Sequence, residues 1–258
     1  MKAQGGSGFA HVEGFAHVET WVFDLDNTLY PADCNLFAQI DQRMGEFIAN
    51  AFDLPFDEAQ KLRQSYYAEH GTTLAGLMRL HDVCPNSFLD YVHDIDLDAV
   101  LPAPALGAAI DALPGRKLVF TNGSRKHAEA VAGRLGLLDR YEDIFDIHAL
   151  DYIHPKPSRE AYDRFVAAHG VVPASAVMFD DLAHNLEAAH ALGMTTVLVD
   201  CRTTQRPEHQ TGTAWTELPA HIHHRTEALE PFLAAIGAAL AGETDATARP
   251  PQAQFCLT

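Results

Sequence analysis

Short apolar runs alternate with helical patterns along most of this chain. Runs rich in β-branched and aromatic residues predict buried strands. They occupy residues 21–23, 117–120, 176–179 and 195–199, with a weaker run at 144–147. Apolar residues with the helical period follow three of these runs, at residues 124–135, 158–169 and 182–192. This alternation is typical of an α/β fold, so we expect a Rossmann-like parallel sheet with helices on both faces.

One long segment, residues 34–113, interrupts the alternation. It contains amphipathic helical stretches and no convincing strand. The stretches lie at residues 36–52, 56–70, 73–80, 86–93 and 104–113. We therefore predict an all-helical cap inserted after the first strand, where it can act as a lid over the carboxyl edge of the sheet.

The rest of the chain divides around this cap. We assign residues 20–33 and 114–241 to the catalytic core, with a final helix that packs on the sheet. Residues 1–19 contain the hexapeptide G-F-A-H-V-E twice in tandem. Two copies are too few for a solenoid, so a mobile N-terminal arm is predicted. Residues 242–258 include Pro250-Pro251 and are predicted to be a disordered tail.

Composition narrows the class of partner. The chain has 258 residues, of which 47% are apolar and 21% charged, and this composition is ordinary for a globular protein. Its 18 Lys and Arg against 35 Asp and Glu give a net charge of −17, which disfavours extended nucleic acids and anionic membranes. The four cysteines form no metal or disulfide pattern, and no run is long enough to cross a bilayer. A cytoplasmic protein is expected, in which a local positive pocket can still bind a small anion.

Two carboxylates follow the first predicted strand. Asp24 and Asp26 are separated by one residue at the point where the chain begins to turn. Close carboxylates raise each other's pKa unless a cation neutralises them. A divalent metal would keep one ionised as ligand and nucleophile, while the other holds a proton for general acid catalysis. Oxygen ligands of this kind favour Mg²⁺ over zinc.

Polar residues also follow the later strands or precede the later helices. They are Thr121-Asn122-Gly123, Lys156 between two prolines, and Asp180-Asp181. The turn at 121–123 begins a helix whose free amides favour an anion. Because the carboxyl ends of parallel strands meet at one edge, we expect all these residues to converge with the first acidic pair.

The order of these elements resembles that of the haloacid dehalogenase-like superfamily of phosphatases. The resemblance implies that Asp24 attacks phosphorus to form an aspartyl-phosphate. It implies that Asp26 protonates the leaving oxygen, later activates water, and binds magnesium through its backbone carbonyl. Thr121 would hydrogen-bond the transferring phosphoryl group, and Lys156 would stabilise its charge.

The same resemblance assigns the metal and phosphate ligands. The predicted Mg²⁺ ligands are Asp24, Asp26, Asp180 and Asp181. Asp181 aligns with the direct ligand of the family, and Asp180 aligns with a neighbouring or water-mediated one. Asn122 and Gly123 are predicted to bind phosphate together with the helix that they begin.

A narrower resemblance concerns the segments around the motifs. Residues 21–31, 70–77 and 119–124 look like the pyrimidine 5′-nucleotidase branch of this superfamily. That branch carries a helical lid and removes phosphate from nucleoside monophosphates. It implies that His70, Thr72 and Thr73, at a turn in the cap, contact the base or sugar, although simple helix capping accounts for these residues equally well.

Other functions remain open on the sequence. Within the superfamily, a sugar-phosphate phosphatase or a phosphomutase fits the same motifs, whereas a dehalogenase has no need of Asp26 as a proton donor. A phosphoacceptor signalling module also gathers acids, Thr and Lys at a strand end, but without a helical lid. The expected partner is a small phosphorylated metabolite, and the expected assembly is a monomer or homodimer.

Overall fold

A parallel sheet forms the centre of the computed structural model, which describes residues 14–200 and 217–248. Within these ranges the strands are β1 (Thr20–Phe23), β2 (Arg116–Phe120), β3 (Asp143–Phe145), β4 (Ala176–Asp180), β5 (Thr195–Val199) and β6 (His224–Thr226). They lie in the order β3-β2-β1-β4-β5-β6, and every pair is parallel. The predicted α/β fold is confirmed. The edge strand β6 was not predicted, because its residues are polar and only half-buried.

Helices cover both faces of this sheet and form the cap above it. They are α1 (Leu36–Phe52), α2 (Phe56–His70), α3 (Thr73–His81), α4 (Pro85–Val92), α5 (Pro104–Asp111), α6 (Arg125–Leu135), α7 (Arg159–His169), α8 (Ala183–Ala191) and α9 (Leu229–Ala248). Helices α5, α6 and α9 bury apolar side chains against one face. Helices α7 and α8 pack on the other face, where the apolar cluster continues into the cap.

Strand β1 is central because it pairs with both β2 and β4. All four of its residues are buried, and alternate side chains enter the apolar clusters on opposite faces. Phe23 pairs with Phe179, so the next residues along the two strands, Asp24 and Asp180, lie side by side at the carboxyl edge. The backbone N–H of Asp24 donates to the carbonyl of Phe179 at 2.8 Å, which fixes this alignment.

The predicted all-helical cap consists of α1 to α4. Helix α1 packs on α2 and α4, and α2 packs on α3. As predicted, α2 ends at Gly71, whose φ of 85° suits glycine. A side chain at Gly71 would contact Pro155, so this turn of the cap lies directly over the loop that carries Lys156.

The predicted cap boundary at residue 113 is wrong. Helix α5 packs against α9, and Leu106 and Ile110 are buried in the same apolar cluster as Phe23 of the central strand. The helix therefore belongs to the core. Helical periodicity marks an apolar face but not the surface that will cover it, and for this reason the sequence did not separate α5 from the cap.

The predicted end of the N-terminal arm is also wrong. Residues 1–13 lie outside the described ranges, but Phe15 and Val18 of the second hexapeptide are 1% and 4% exposed. The ring of Phe15 stacks on Trp21 at 6.0 Å and lies 4.7 Å from the ring of His224. Residues 14–19 are therefore part of the core, because their apolar side chains complete the cluster beside β1.

The predicted start of the tail needs a similar correction. Helix α9 runs to Ala248, beyond the expected boundary at residue 242, while residues 249–258 lie outside the described ranges. An Ala-rich stretch with few β-branched residues continues a helix readily, so composition alone did not mark the end. No described helix, α9 included, combines the length and apolarity needed to cross a membrane.

The buried position of Phe15 generates a stability prediction. The substitution Phe15→Ala should lower the free energy of unfolding by about 3 kcal/mol, because it leaves a cavity in the core. Leu101→Ala is the control, since Leu101 is 72% exposed and its truncation should change stability by less than about 0.5 kcal/mol. Urea unfolding of both variants measures the difference. Equal midpoints would show that Phe15 is not packed.

Candidate active site

The ammonium group of Lys156 joins the ends of two neighbouring strands. Its Nζ donates to Asp24 Oδ1 and to Asp180 Oδ2, each at 2.7 Å. The Lys156 side chain is 1% exposed, and its ammonium also lies 5.2 Å from the ring centre of Phe120. Burial lowers the pKa of Lys156, but the two carboxylates outweigh burial and raise it, so the group remains a cation.

The loop that carries Lys156 is held by Asn122. The side-chain Oδ1 of Asn122 accepts from the backbone N–H of Lys156 at 2.8 Å, and its Nδ2 donates to the Lys156 carbonyl at 3.1 Å. Both polar atoms of this amide are thus engaged with one residue. These bonds give the Asn122 side chain a supporting role, while Asn122 also lines the cavity above the acidic cluster, so its phosphate contact stays a prediction.

Asp180 is fully buried and anchors the next loop. Its Oδ1 accepts from the backbone N–H of Leu182 and from Asn185 Nδ2, both at 2.9 Å. Its Oδ2 accepts from Lys156 and, at 3.1 Å, from Asn185. Sequence reasoning missed Asn185, whose only signal was its place in the first turn of the helix after the acidic pair.

Three carboxylates gather at this edge of the sheet. Oxygen atoms of Asp24, Asp180 and Asp181 lie within 4.8 Å of one another. Burial raises the pKa of Asp24 to about 7 despite the neighbouring Lys156 ammonium, and the charge of Asp180 contributes to the rise. Burial, together with the charges of Asp180 and Asp24, also raises the pKa of Asp181 well above its ordinary value.

The residues of this acidic cluster fit a divalent cation. Three carboxylates face one ammonium group, which leaves an excess of two negative charges when all are ionised. Burial is the main cause of the raised pKa values of Asp24 and Asp181, and the charges of the neighbouring carboxylates add to it. Carboxylate oxygens are the ligands that Mg²⁺ prefers. Because four hydrogen bonds already engage Asp180, the other two carboxylates are better placed to hold an ion directly.

The carboxyl of Asp26 lies outside this cluster. Its Oδ1 accepts from the Tyr30 hydroxyl at 2.6 Å and is 2.8 Å from His127 Nε2. Burial raises the pKa of Asp26, but the charge and hydrogen bond of His127 and the bond from Tyr30 outweigh it and lower the pKa. The carboxylate is thus held by protein donors, and a role of Asp26 in metal binding through its backbone carbonyl stays a prediction.

The sequence analysis missed two residues that contact Asp26, namely Tyr30 and His127. Tyr30 stands four residues after Asp26 and offered the weak signal of an aromatic residue just beyond the first motif. His127 stands three residues after Ser124, the N-cap of α6, whose Oγ accepts from the His127 N–H. The pattern predicts this cap but not the partner of the imidazole ring.

The turn after β2 brings Thr121 and Gly123 beside these carboxylates. Thr121 is buried, and its Oγ1 accepts from the backbone N–H of Gly123 at 2.9 Å. A Cβ at Gly123 would lie 3.3 Å from Thr121 Oγ1 and 3.6 Å from Asp26 Oδ2, so glycine keeps this turn close to both groups. With α6 starting directly after the turn, its first amides lie at the same edge.

The predicted cap residues divide between the site and the cap itself. Thr72 is the N-cap of α3 and accepts from the Ala75 N–H at 3.1 Å. Thr72 and Thr73 both line the cavity above the acidic cluster. His70 is not among the residues that line this cavity, and its Nε2 is buried without a hydrogen-bond partner. The structure thus does not support substrate contact by His70.

The cavity lies between the acidic edge of the core and the cap, with about 160 Å³ open to water. Apolar cap side chains form most of its upper wall: Phe37, Ile40, Met44, Phe88, Leu89 and Val92. A polar patch interrupts this wall, where Arg63 Nη1 lies 3.1 Å from Asp41 Oδ1 and Arg63 Nε donates to Gln60 at 2.6 Å. Arg63 is only 8% exposed, and its position was not predicted from the sequence.

The chain is similar in sequence to a curated yeast protein. The yeast Phosphate metabolism protein 8 of Saccharomyces cerevisiae is 28% identical over 199 residues, which cover 70% of this chain and 61% of the yeast protein. The chain thus spans less than two thirds of that relative.

Two solved structures have a similar fold at low identity. A haloacid dehalogenase-like protein of unknown function from Agrobacterium tumefaciens aligns with a TM-score of 0.51 at 18% identity, over 88% of this chain and 99% of its own. A magnesium-bound HAD-hydrolase from Bacillus subtilis aligns with a TM-score of 0.51 at 13% identity, over 85% and 98% of the two chains.

The family model that matches is that of the haloacid dehalogenase-like hydrolases, and it covers residues 18–193. This span contains the cap and every carboxylate of the acidic cluster. Since the match extends over more than half of the sequence, the chain belongs to the haloacid dehalogenase-like hydrolase family.

Proposed function

We propose that this hydrolase is a Mg²⁺-dependent phosphomonoesterase that works through an aspartyl-phosphate. The proposal is carried by one observation: two carboxyls two residues apart have opposite surroundings. Asp24 lies in an acidic cluster and contacts a buried ammonium, whereas Asp26 is held separately by Tyr30 and His127. Two carboxyls in different environments can divide the roles of nucleophile and proton carrier.

The reaction proceeds in two halves. In the first half, a carboxylate oxygen of Asp24 forms a bond to phosphorus as the bond between phosphorus and the ester oxygen breaks. The departing ester oxygen takes a proton from Asp26. Asp26, now ionised, accepts a proton from water as the water oxygen attacks phosphorus, which releases phosphate and restores Asp24. Lys156 offsets negative charge on the transferring group throughout. Bound at Asp24 and Asp181, Mg²⁺ would supply further charge neutralisation.

Asp26 must hold a proton for the first half to occur. In the free protein, the hydrogen bonds and charge of its partners lower its pKa. An anionic phosphate that enters the cavity shifts this pKa upward, because a nearby negative charge disfavours ionisation of the carboxyl. Substrate binding itself therefore moves Asp26 toward the protonated form that the first half needs.

The same carboxyl favours ester hydrolysis over dehalogenation. A 2-haloacid dehalogenase from Pseudomonas syringae pv. Tomato shares the fold, with a TM-score of 0.50 at 18% identity over 88% of this chain and 99% of its own. A halide departs as a stable anion and needs no proton, whereas an alkoxide departs poorly without one. The Asp26 carboxyl, which is 15% exposed and is held in place by Tyr30 and His127, can supply that proton.

For the substrate, we propose a nucleoside 5′-monophosphate, with a pyrimidine base. The apolar upper wall of the cavity suits a flat ring, and the Arg63–Asp41 pair offers a donor and an acceptor side by side for the edge of a base. Because Asp41 already neutralises Arg63, the pair suits a neutral group better than a second phosphate. A sugar phosphate is the alternative and lacks the flat apolar face that this wall would cover.

The nucleophile generates the first test. Asp24→Asn should reduce phosphate release from nucleoside monophosphates by more than ~1000-fold, since an amide cannot form the aspartyl-phosphate. Asp82→Asn is a matched control at an exposed cap residue and should retain activity. A colorimetric phosphate assay with Mg²⁺ measures both variants. Turnover retained in Asp24→Asn would exclude the covalent mechanism.

The raised pKa of Asp24 generates a test of the metal. Between pH 4 and about 7, Asp24 binds more protons in the folded protein than in the unfolded protein. The contribution of Asp24 to the free energy of unfolding is therefore present at low pH and is lost as the pH rises through this range. Mg²⁺ binds the ionised carboxylates, so it should raise the melting temperature more at pH 8 than at pH 5. Thermal unfolding with EDTA or Mg²⁺ checks this. Asp181→Asn should abolish the pH-dependent gain, and an unchanged gain would argue against the site.

The polar patch generates a test of substrate class. Arg63→Met should raise KM for pyrimidine nucleoside monophosphates by about 10-fold, from loss of a charge-assisted hydrogen bond, with a smaller effect on p-nitrophenyl phosphate. Arg79→Met is the matched control, because Arg79 is also a cap arginine but donates to the Ile153 carbonyl outside the cavity. Equal losses on both substrates would show that Arg63 only stabilises the cap.

A further inference from the structure

His93 is a cap residue that contacts the catalytic edge of the core. His93 follows α4 directly, and its ring stacks on that of His127 in α6 with a centroid distance of 4.3 Å and an interplanar angle of 9°. His93 Nδ1 is also 3.0 Å from the Oγ of Ser124, the N-cap of α6. The ring lies at the cavity wall, so the cap residue that rests on α6 also borders the reaction site.

His127 connects His93 to Asp26, the proposed proton carrier. Its side chain is 1% exposed, and its Nε2 is 2.8 Å from Asp26 Oδ1. The Tyr30 hydroxyl donates to the same oxygen at 2.6 Å. Two partners on Oδ1 fix the rotation of the carboxyl and leave Oδ2 on the side of Gly123, where the transferring group would lie.

Other cap–core contacts at this place do not reach the carboxyl. Lys126 Nζ bonds Asp90 Oδ1 at 2.8 Å, and the Tyr152 hydroxyl donates to Asn86 Oδ1 at 3.0 Å. Both contacts hold α4 against the core, and both are exposed. A substitution at either contact can therefore change how the cap is attached without removing a contact of Asp26.

We propose that His93 and His127 form a positioning pair that links the seating of the cap to the orientation of the Asp26 carboxyl. With the cap on the core, His93 packs His127 in place, and His127 holds Asp26 where it can give a proton to the leaving oxygen. With the cap displaced, His127 loses its stacking partner, and one of the two residues that orient the carboxyl is no longer packed in place. This inference rests on the proposed phosphatase reaction, and it makes acid catalysis conditional on a closed cap.

The test compares two leaving groups. A nucleoside 5′-monophosphate releases an alkoxide that needs a proton, whereas p-nitrophenyl phosphate releases a phenolate that departs without one. For each ester, kcat/KM reports steps up to formation of the aspartyl-phosphate, so the second half does not interfere. General acid catalysis contributes about 100-fold or more to the rate of a reaction. If the Asp26 carboxyl is no longer oriented, we therefore expect kcat/KM to fall for the nucleotide alone.

The expected results distinguish the pair from simple cap packing. His127→Ala should lower kcat/KM for the nucleotide by about 100-fold and for p-nitrophenyl phosphate by less than about 5-fold, and His93→Ala should show the same selectivity at about 10-fold. His127→Gln keeps a donor toward Asp26 and should restore part of the loss, which guards against a folding defect. His93→Phe keeps a flat ring and should retain most activity. Asp90→Asn is the control, because it removes an exposed ion pair of α4 and leaves both histidines in place, so it should lower kcat/KM for either ester by less than about 3-fold.

Two outcomes would overturn the inference. One is an equal loss on both esters in the His93→Ala and His127→Ala variants, which would indicate general loosening of the cap. The other is no loss in either variant. If the unsubstituted protein hydrolyses neither ester, or if Asp24→Asn remains active on both, the proposed function itself fails, and that result is distinct from either outcome above.

Discussion

The ammonium of Lys156 is the interaction on which the site depends. It is buried between Asp24 and Asp180 at 2.7 Å from each, so it permits two like charges to stand at neighbouring strand ends. Removal of one partner from a buried ion pair leaves an uncompensated charge, which is strongly destabilising. The backbone around Lys156 is fixed in turn by Asn122, and Asp180 is fixed by Asn185. The same contacts therefore hold the sheet edge together and place the Asp24 carboxylate.

The two carboxyls of the first motif diverge because their surroundings differ. Asp24 stays with the sheet and the acidic cluster, whereas Asp26 has turned toward Tyr30 and His127. The cap covers the space above both with apolar side chains, and a less polar surrounding strengthens the electrostatic interactions beneath it. Through His93 the cap also contacts His127, which holds Asp26. The interface between cap and core thus both encloses the cavity and supports the residue that contacts Asp26.

The fold followed from the sequence wherever a local pattern determined the element. The central strands, the cap helices and the stop at Gly71 were predicted because period, apolarity and turn chemistry act over a few residues. The boundaries at Phe15 and at α5 were wrong for the opposite reason. Burial of Phe15 depends on Trp21 and His224, and the place of α5 depends on α9, so both were decided by surfaces distant in sequence.

For the site, the sequence by itself determined which groups stand at the strand ends, since a residue that follows a parallel strand must emerge at the carboxyl edge. Only the tertiary structure decided what each group contacts. The amide of Asn122 bonds a residue 34 positions away, and His127 reaches Asp26 across 101 positions. Hydrogen bonds over such separations leave no periodic trace in a chain, because they arise only when packing brings the donor and the acceptor together.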